Sequence, residues 1–119
     1  MTAIGRLKTR AEFLLVREGS RFAAPSLVLQ ARARANKEGA ESQLARFGFT
    51  ASKALGGAVN RNQARRRLKE AVRIIGPIHA VPGYDYVLIA RAGTVQRRFT
   101  EITKDLERAL TKVHQAPRP

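Results

Sequence analysis

Residues 60–73, Asn-Arg-Asn-Gln-Ala-Arg-Arg-Arg-Leu-Lys-Glu-Ala-Val-Arg, hold the densest set of chemically able side chains: six cations and one acid in fourteen positions. Five of the six cations are arginine, whose planar guanidinium meets a phosphate through two parallel hydrogen bonds, where lysine offers only a compact point charge. A helix face that is merely solvated usually interleaves acids three or four residues from its cations. Here Glu70 is the only acid. The alternative reading, a solvated basic face, therefore stands against two features. Arg61, Arg65, Arg66, Arg67, Lys69 and Arg73 become candidate contacts to a polyanion.

The whole chain repeats this imbalance. Its 119 residues carry 23 Lys plus Arg against 9 Asp plus Glu, a net charge of +14. Such a surface repels itself and favours association with nucleic acid. Catalytic chemistry by the protein has no comparable support. His79 and His114 are the only histidines, they lack a metal-ligand spacing, and they read as ordinary surface residues. The acids are scattered, with Glu38 and Glu41 in a polar stretch and Glu101, Asp105 and Glu107 where a helix would need them for solubility. Gly56-Gly57 lacks the spaced Gly-Lys-Ser/Thr pattern of a phosphate-binding loop. There is no cysteine, which excludes disulfides and Cys-based zinc sites. No apolar run approaches the ~20 residues that cross a bilayer. The N-terminus lacks the apolar stretch of a signal peptide, so the expected location is cytoplasmic.

The elements that must position these side chains follow from periodicity. Thr9-Arg10-Ala11-Glu12 fits a capping box, and Phe13-Leu14-Leu15-Val16 gives a helix over about 9–18 an apolar side, with Gly19 to end it. Leu27, Leu29, Ala31 and Ala33 alternate with Val28, Gln30, Arg32 and Arg34, a strand with one apolar and one largely polar face. Phe47, Phe49 and Ala51 alternate likewise with Arg46, Gly48, Thr50 and Ser52. With residues 36–42 as the loop, these two strands read as an antiparallel hairpin backed by helices on its apolar face alone. The basic segment forms a helix over about 60–75, with Ala64, Leu68, Ala71, Val72 and Ile75 as its buried stripe and Gly76-Pro77 as its stop. Tyr86-Val87-Leu88-Ile89-Ala90 is apolar on both faces, which suits an inner strand. A last helix over about 99–114 buries Phe99, Ile102, Leu106, Ala109, Leu110 and Val113, and residues 115–119 are expected to fray. The result is a single α+β domain over 1–119, ordered over about 6–114, with one sheet.

Thr50-Ala51-Ser52-Lys53 and then Gly56-Gly57-Ala58-Val59-Asn60-Arg61-Asn62-Gln63-Ala64-Arg65-Arg66 resemble the signature of the bacterial ribonuclease P protein family. Arg6-Leu7-Lys8 with Glu12-Phe13, Asp85 to Arg91, and Phe99 to Leu110 are similar to that family's opening, last strand and closing helix. The resemblance implies an αβββαβα fold with one mixed sheet, a further strand at Arg21-Phe22-Ala23, and a left-handed crossover carrying the basic helix. It implies a protein subunit of ribonuclease P, an endoribonuclease in which RNA hydrolyses precursor tRNA with Mg²⁺. The protein would hold no cofactor and no catalytic residue, and its partners would be the catalytic RNA and the 5′ leader of precursor tRNA. Lys53, Arg61, Asn62, Gln63, Arg65, Arg66, Arg67, Lys69 and Arg73 would face the catalytic RNA. Phe13, Arg17, Gln30, Thr50, Arg61, Asn62 and Arg65 would line a leader cleft.

Three positions depart from the family pattern. Gln63 replaces an arginine, Gln30 stands where relatives can carry Tyr, and Arg17 lies near a usual second aromatic in a first helix shortened by one residue. Leader contacts here are expected to lean on charge more than on stacking. Phe13 is open between a stacking platform and a core residue. The competing function is a stand-alone nucleic-acid-binding module, ribosomal or DNA-directed, with the basic helix in a groove.

Overall fold

The computed structural model describes residues 1–35 and 43–115; the expected loop at 36–42 and the tail beyond Gln115 lie outside them. Helix α1 spans Arg10–Val16, and its start is the expected capping box. The Thr9 hydroxyl accepts from the Glu12 N–H, and the Glu12 carboxylate accepts from the Thr9 N–H at 2.9 Å and the Lys8 N–H at 2.7 Å. These bonds satisfy N–H groups that a helix start leaves without partners.

Five strands form one mixed sheet: β1 (Ala3–Arg6), β2 (Ser20–Ala23), β3 (Leu27–Ala33), β4 (Leu44–Thr50) and β5 (Tyr84–Ala90), in the order β1-β4-β5-β3-β2. The resemblance placed β2 correctly. The hairpin expected between β3 and β4 does not form. Strand β5 lies between them, antiparallel to β3 and parallel to β4. The reason is burial: β5 is apolar on both faces and takes the most enclosed place, splitting two strands whose alternation fits either arrangement. Strand β1 was not anticipated. It pairs parallel with β4 at the sheet edge, where four residues are too few for a readable alternation.

Helix α2 (Ala58–His79) crosses over between the parallel strands β4 and β5. It starts after a 3₁₀ turn at Lys53–Leu55 and Gly56, whose φ of 107° suits a residue without Cβ. The expected stop at Gly76-Pro77 is overrun by a full turn, the Ala80 N–H donating to the Gly76 carbonyl at 2.8 Å. Proline removes one hydrogen bond from a helix interior. Here β1 docks against this turn: Ile4 packs on buried Gly76, and the Thr2 N–H donates to the Pro77 carbonyl at 2.8 Å. A short helix α3 (Ala92–Gln96), also unanticipated, precedes α4 (Phe99–Val113). The order is therefore β1α1β2β3β4α2β5α3α4, which extends the expected αβββαβα at both additions.

The main core lies between one sheet face and helices α2 and α4. Leu27, Leu29, Phe47, Tyr86 and Leu88 of the sheet meet Ala64, Leu68 and Val72 of α2 and Ile102, Leu106 and Leu110 of α4. The second sheet face is not left open. Helix α1 and the residues before it cover part of it, Leu7 and Val16 clustering with Val87 of β5 and Phe13 and Ile89 packed at the margin. No helix among the described residues is long and apolar enough to cross a membrane.

Candidate nucleic-acid interface

The part of the second sheet face that α1 does not fill is a cleft of about 610 Å³. Its floor is Gln30 of β3, Val87 and Ile89 of β5 and Thr50 of β4, with Phe49, which packs toward the main core, at its edge. One wall is α1 and the residues before it, with Lys8, Arg10, Phe13, Leu14 and Arg17; Arg65 of α2 and Arg21 of β2 complete the rim. Lys8, Arg10, Arg17, Arg21 and Arg65 thus surround the cleft, and no acid is among the described residues lining it. Cations converging on a concave surface raise the local concentration of a polyanion.

Among the residues expected in a leader cleft, Phe13, Arg17, Gln30, Thr50 and Arg65 come together here, whereas Arg61 and Asn62 do not line it. Those two sit near the N-terminal end of α2. The Arg61 Nη1 group donates to the Gly56 carbonyl at 3.0 Å, and Asn62 Oδ1 accepts from Arg65 Nη1 at 3.2 Å. Phe13 does not enter the main core. Its ring lies over Gly48 so closely that a Cβ there would stand 2.4 Å from Phe13 Cζ. Gln30 is buried, so its amide forms part of the floor instead of reaching outward. The cleft cations Lys8, Arg10 and Arg21 escaped sequence reading. Arg21 could have been found once β2 was in register, because it stands opposite Gln30.

The basic helix turns most of its cations outward. Lys53, Arg66 and Lys69 are exposed, Gln63 is half-buried, and Arg73 is exposed but paired with Glu70 at 2.5 Å. The hydrogen bond from Arg73 lowers the Glu70 carboxyl below its usual range. Arg67 points the other way. Its guanidinium donates to the Thr94 carbonyl at 2.8 Å and the Arg97 carbonyl at 2.5 Å, closing the C-terminal end of α3. That geometry serves the fold and leaves Arg67 poorly placed for an external phosphate.

A charged network also went unseen in the sequence. Buried Asp85 accepts from Arg34 Nη1 at 2.7 Å, Arg46 Nε at 2.8 Å and Arg46 Nη2 at 2.8 Å. Arg46 Nη1 then reaches Glu12 Oε2 at 2.8 Å. Burial pushes the Glu12 carboxyl up, but the Lys8 and Thr9 N–H groups and Arg46 outweigh it and hold the group below its usual range. The same carboxylate that caps α1 therefore ties that helix to the sheet. The signal was a cross-strand pair, Arg46 opposite Asp85, visible only with the β4–β5 register in hand.

Two other expectations change. His114 is not an ordinary surface residue: Nε2 lies 2.5 Å from the Tyr86 hydroxyl and its ring stands edge-on to Tyr84 at 4.4 Å. Asp105 does more than solubilise α4, accepting from the buried Ser26 hydroxyl at 2.6 Å and the Ser26 N–H at 3.0 Å. Among the described residues, no three His, Asp or Glu gather where a metal ion could be held.

The model of the family described as Ribonuclease P matches residues 1–114. The ribonuclease P protein component of Ruegeria pomeroyi is 44% identical, covering 99% of this chain and 92% of that protein. That of Paramagnetospirillum magneticum is 47% identical over 92% of this chain and 83% of its own length. Among solved structures, the Staphylococcus aureus RNase P protein superposes with a TM-score of 0.71 at 29% identity, covering 92% of this chain and 97% of that one. The Thermotoga maritima RNase P protein shares the fold, with a TM-score of 0.74 at 24% identity over 92% of this chain and 98% of that one. With its sequence matched almost end to end and its fold shared, the chain belongs to the ribonuclease P protein family.

Proposed function

We propose that this chain is the protein subunit of a ribonuclease P, assisting a catalytic RNA in removing the 5′ leader from precursor tRNA. The observation that carries this reading is the cleft between α1, α2 and the second sheet face, with five cations on its rim and the Phe13 ring beside it. A single strand entering it meets guanidinium groups for its phosphates and an aromatic surface for a base. The buried amide of Gln30 and the aliphatic Val87 and Ile89 give the floor no aromatic ring there, so charge dominates leader binding. The exposed Arg66 and Lys69 on α2, with Lys53 before it, are directed away from the core and suit phosphates of the catalytic RNA. Hydrolysis, and the Mg²⁺ it uses, belong to that RNA. The protein's part is to neutralise phosphates of two polyanions that must lie side by side.

Reconstitution tests this. Purified protein alone should leave precursor tRNA intact. Adding a bacterial ribonuclease P RNA should release the 5′ leader at one site, and the protein should lower the Mg²⁺ required and favour precursor over mature tRNA. Robust cleavage by RNA-free protein, surviving RNase-inhibitor controls, would overturn the assignment of chemistry to the RNA. Equal binding of precursor and mature tRNA would remove the leader cleft.

A further inference from the structure

The cleft does not end where α2 begins. A second cavity of about 190 Å³ adjoins it, sharing Phe13, Phe49 and Arg65 with it, and a third of about 460 Å³ continues from the second, sharing Arg6, Phe47, Phe49 and Lys69. Phe49 lines all three. The third cavity runs between the edge strand β1 and α2, past Ile4, Val72 and Pro77. Strand β1 is only four residues long. Where it stops at Arg6, the sheet edge opens a passage from the second face to the groove beneath α2.

Charge follows this route. Arg65 borders the first two cavities, Arg6 and Lys69 the last two, and Arg73 the far groove. Residues 65, 69 and 73 recur every four positions, so one row of the helix faces the whole seam. Arg6 and Lys69 are exposed and form no ion pair with any described residue. No acid lines the second or third cavity among the described residues. An apolar trough with the unpaired Arg6 at its mouth and a half-buried aromatic ring at the bend matches a single-stranded polynucleotide: bases against Phe49 and Ile4, phosphates toward Arg6.

Resting on the leader-binding reading above, we infer that this passage is a second subsite for single-stranded RNA and takes leader nucleotides beyond those in the cleft. Arg6 is its specific phosphate ligand. The two segments form one path around the sheet edge, so the reach of the protein along a leader exceeds the cleft itself.

Holoenzyme reconstituted with a bacterial ribonuclease P RNA would be titrated with precursor tRNAs whose leaders run from about 2 to 16 nucleotides, spanning ordinary single-strand site sizes. The readout is the ratio of long-leader to short-leader affinity. Arg6→Ala should lower that ratio about tenfold, the usual scale for one charged hydrogen bond, Arg6→Lys should restore most of it, and Arg6→Glu should lower it further. Thermal unfolding of each variant guards against misfolding as the cause. An unchanged ratio, including the case of equal losses at every leader length, overturns the subsite and assigns Arg6 to the catalytic RNA or to the fold. If the unsubstituted holoenzyme binds precursor and mature tRNA alike, the leader-binding reading itself fails and takes this inference with it.

Discussion

Three residues carry the sharpest tests. Phe13 sits between the second-face cluster and the cleft, so Phe13→Ala should weaken holoenzyme binding to precursor tRNA by about 1–3 kcal/mol, the range for one stacked base. Mature tRNA should be affected little, and unfolding stability should fall by less than the roughly 3–5 kcal/mol of a core phenylalanine. Gly48 gives an independent route to the same ring. Gly48→Ala places a Cβ 2.5 Å from Phe13 Cε2, displacing the ring, so it should reproduce the leader-binding loss in the presence of Phe13 and add little in its absence. A double-mutant cycle with additive losses would mean that Gly48 acts elsewhere. His114 reports on stability instead. Burial lowers its pKa below 6.5, so the folded state holds fewer protons than the unfolded state once pH drops below that value. Stability is therefore complete above about pH 6.5 and declines as pH falls toward the lowered folded pKa. Denaturant midpoints at about pH 7.5 and 5.5 should differ for the native chain and differ less for His114→Phe, because that substitution removes the imidazole whose pKa burial lowers in this window.

At the scale of elements, α2 turns Arg66 and Lys69 to solvent and Arg67 onto α3. Replacing Arg65, Arg66 and Lys69 together by Ala should weaken binding to the catalytic RNA and flatten its salt dependence by roughly 0.7–0.9 in log–log slope for each phosphate left unneutralised. Folding should survive, because the buried positions of this helix are Ala64, Leu68, Ala71, Val72 and Gly76. Arg67→Ala should do the reverse. It releases the Thr94 and Arg97 carbonyls at the end of α3, lowering the unfolding midpoint while leaving the salt slope alone. A reduced slope in this variant would put Arg67 back at the RNA. Periodicity placed α2 and α4 within a few residues because each presents a continuous apolar stripe. It missed β1 and α3, which are short and owe their conformation to what they dock against.

At the scale of the molecule, the Arg34–Asp85–Arg46–Glu12 network joins α1, β4, β5 and the end of β3. Asp85→Ala leaves two largely buried guanidinium groups without their shared carboxylate, but Arg46 keeps Glu12 and Arg34 keeps the Tyr84 and Leu44 carbonyls, so the loss should stay below the roughly 3–5 kcal/mol of an uncompensated buried charge. Chemical denaturation should show that loss. The precursor-over-mature preference should shrink as well, because Arg46 also holds the carboxylate that caps α1. Retained stability with retained leader preference would show that the helix is positioned by its apolar contacts alone.

Sequence by itself determined the polyanionic partner, the capping box, the two long helices and the central strand, because each is written in local composition or in a repeat of two or 3.6 residues. The resemblance at residues 50–66 added the family and the expectation of a leader cleft. Tertiary structure decided the rest. Two alternating strands read equally well as neighbours or as strands parted by a third, and only the burial of β5 on both faces selects the second arrangement. That choice brings Arg46 opposite Asp85 and closes the network beneath α1. It also decides which arginines meet solvent and which meet carbonyls: Arg66 and Arg67 are adjacent in sequence and identical in chemistry, yet the 100° step of the helix turns one outward and one onto α3. Periodicity gives the angle between them. What stands at the end of each side chain is a property of the fold.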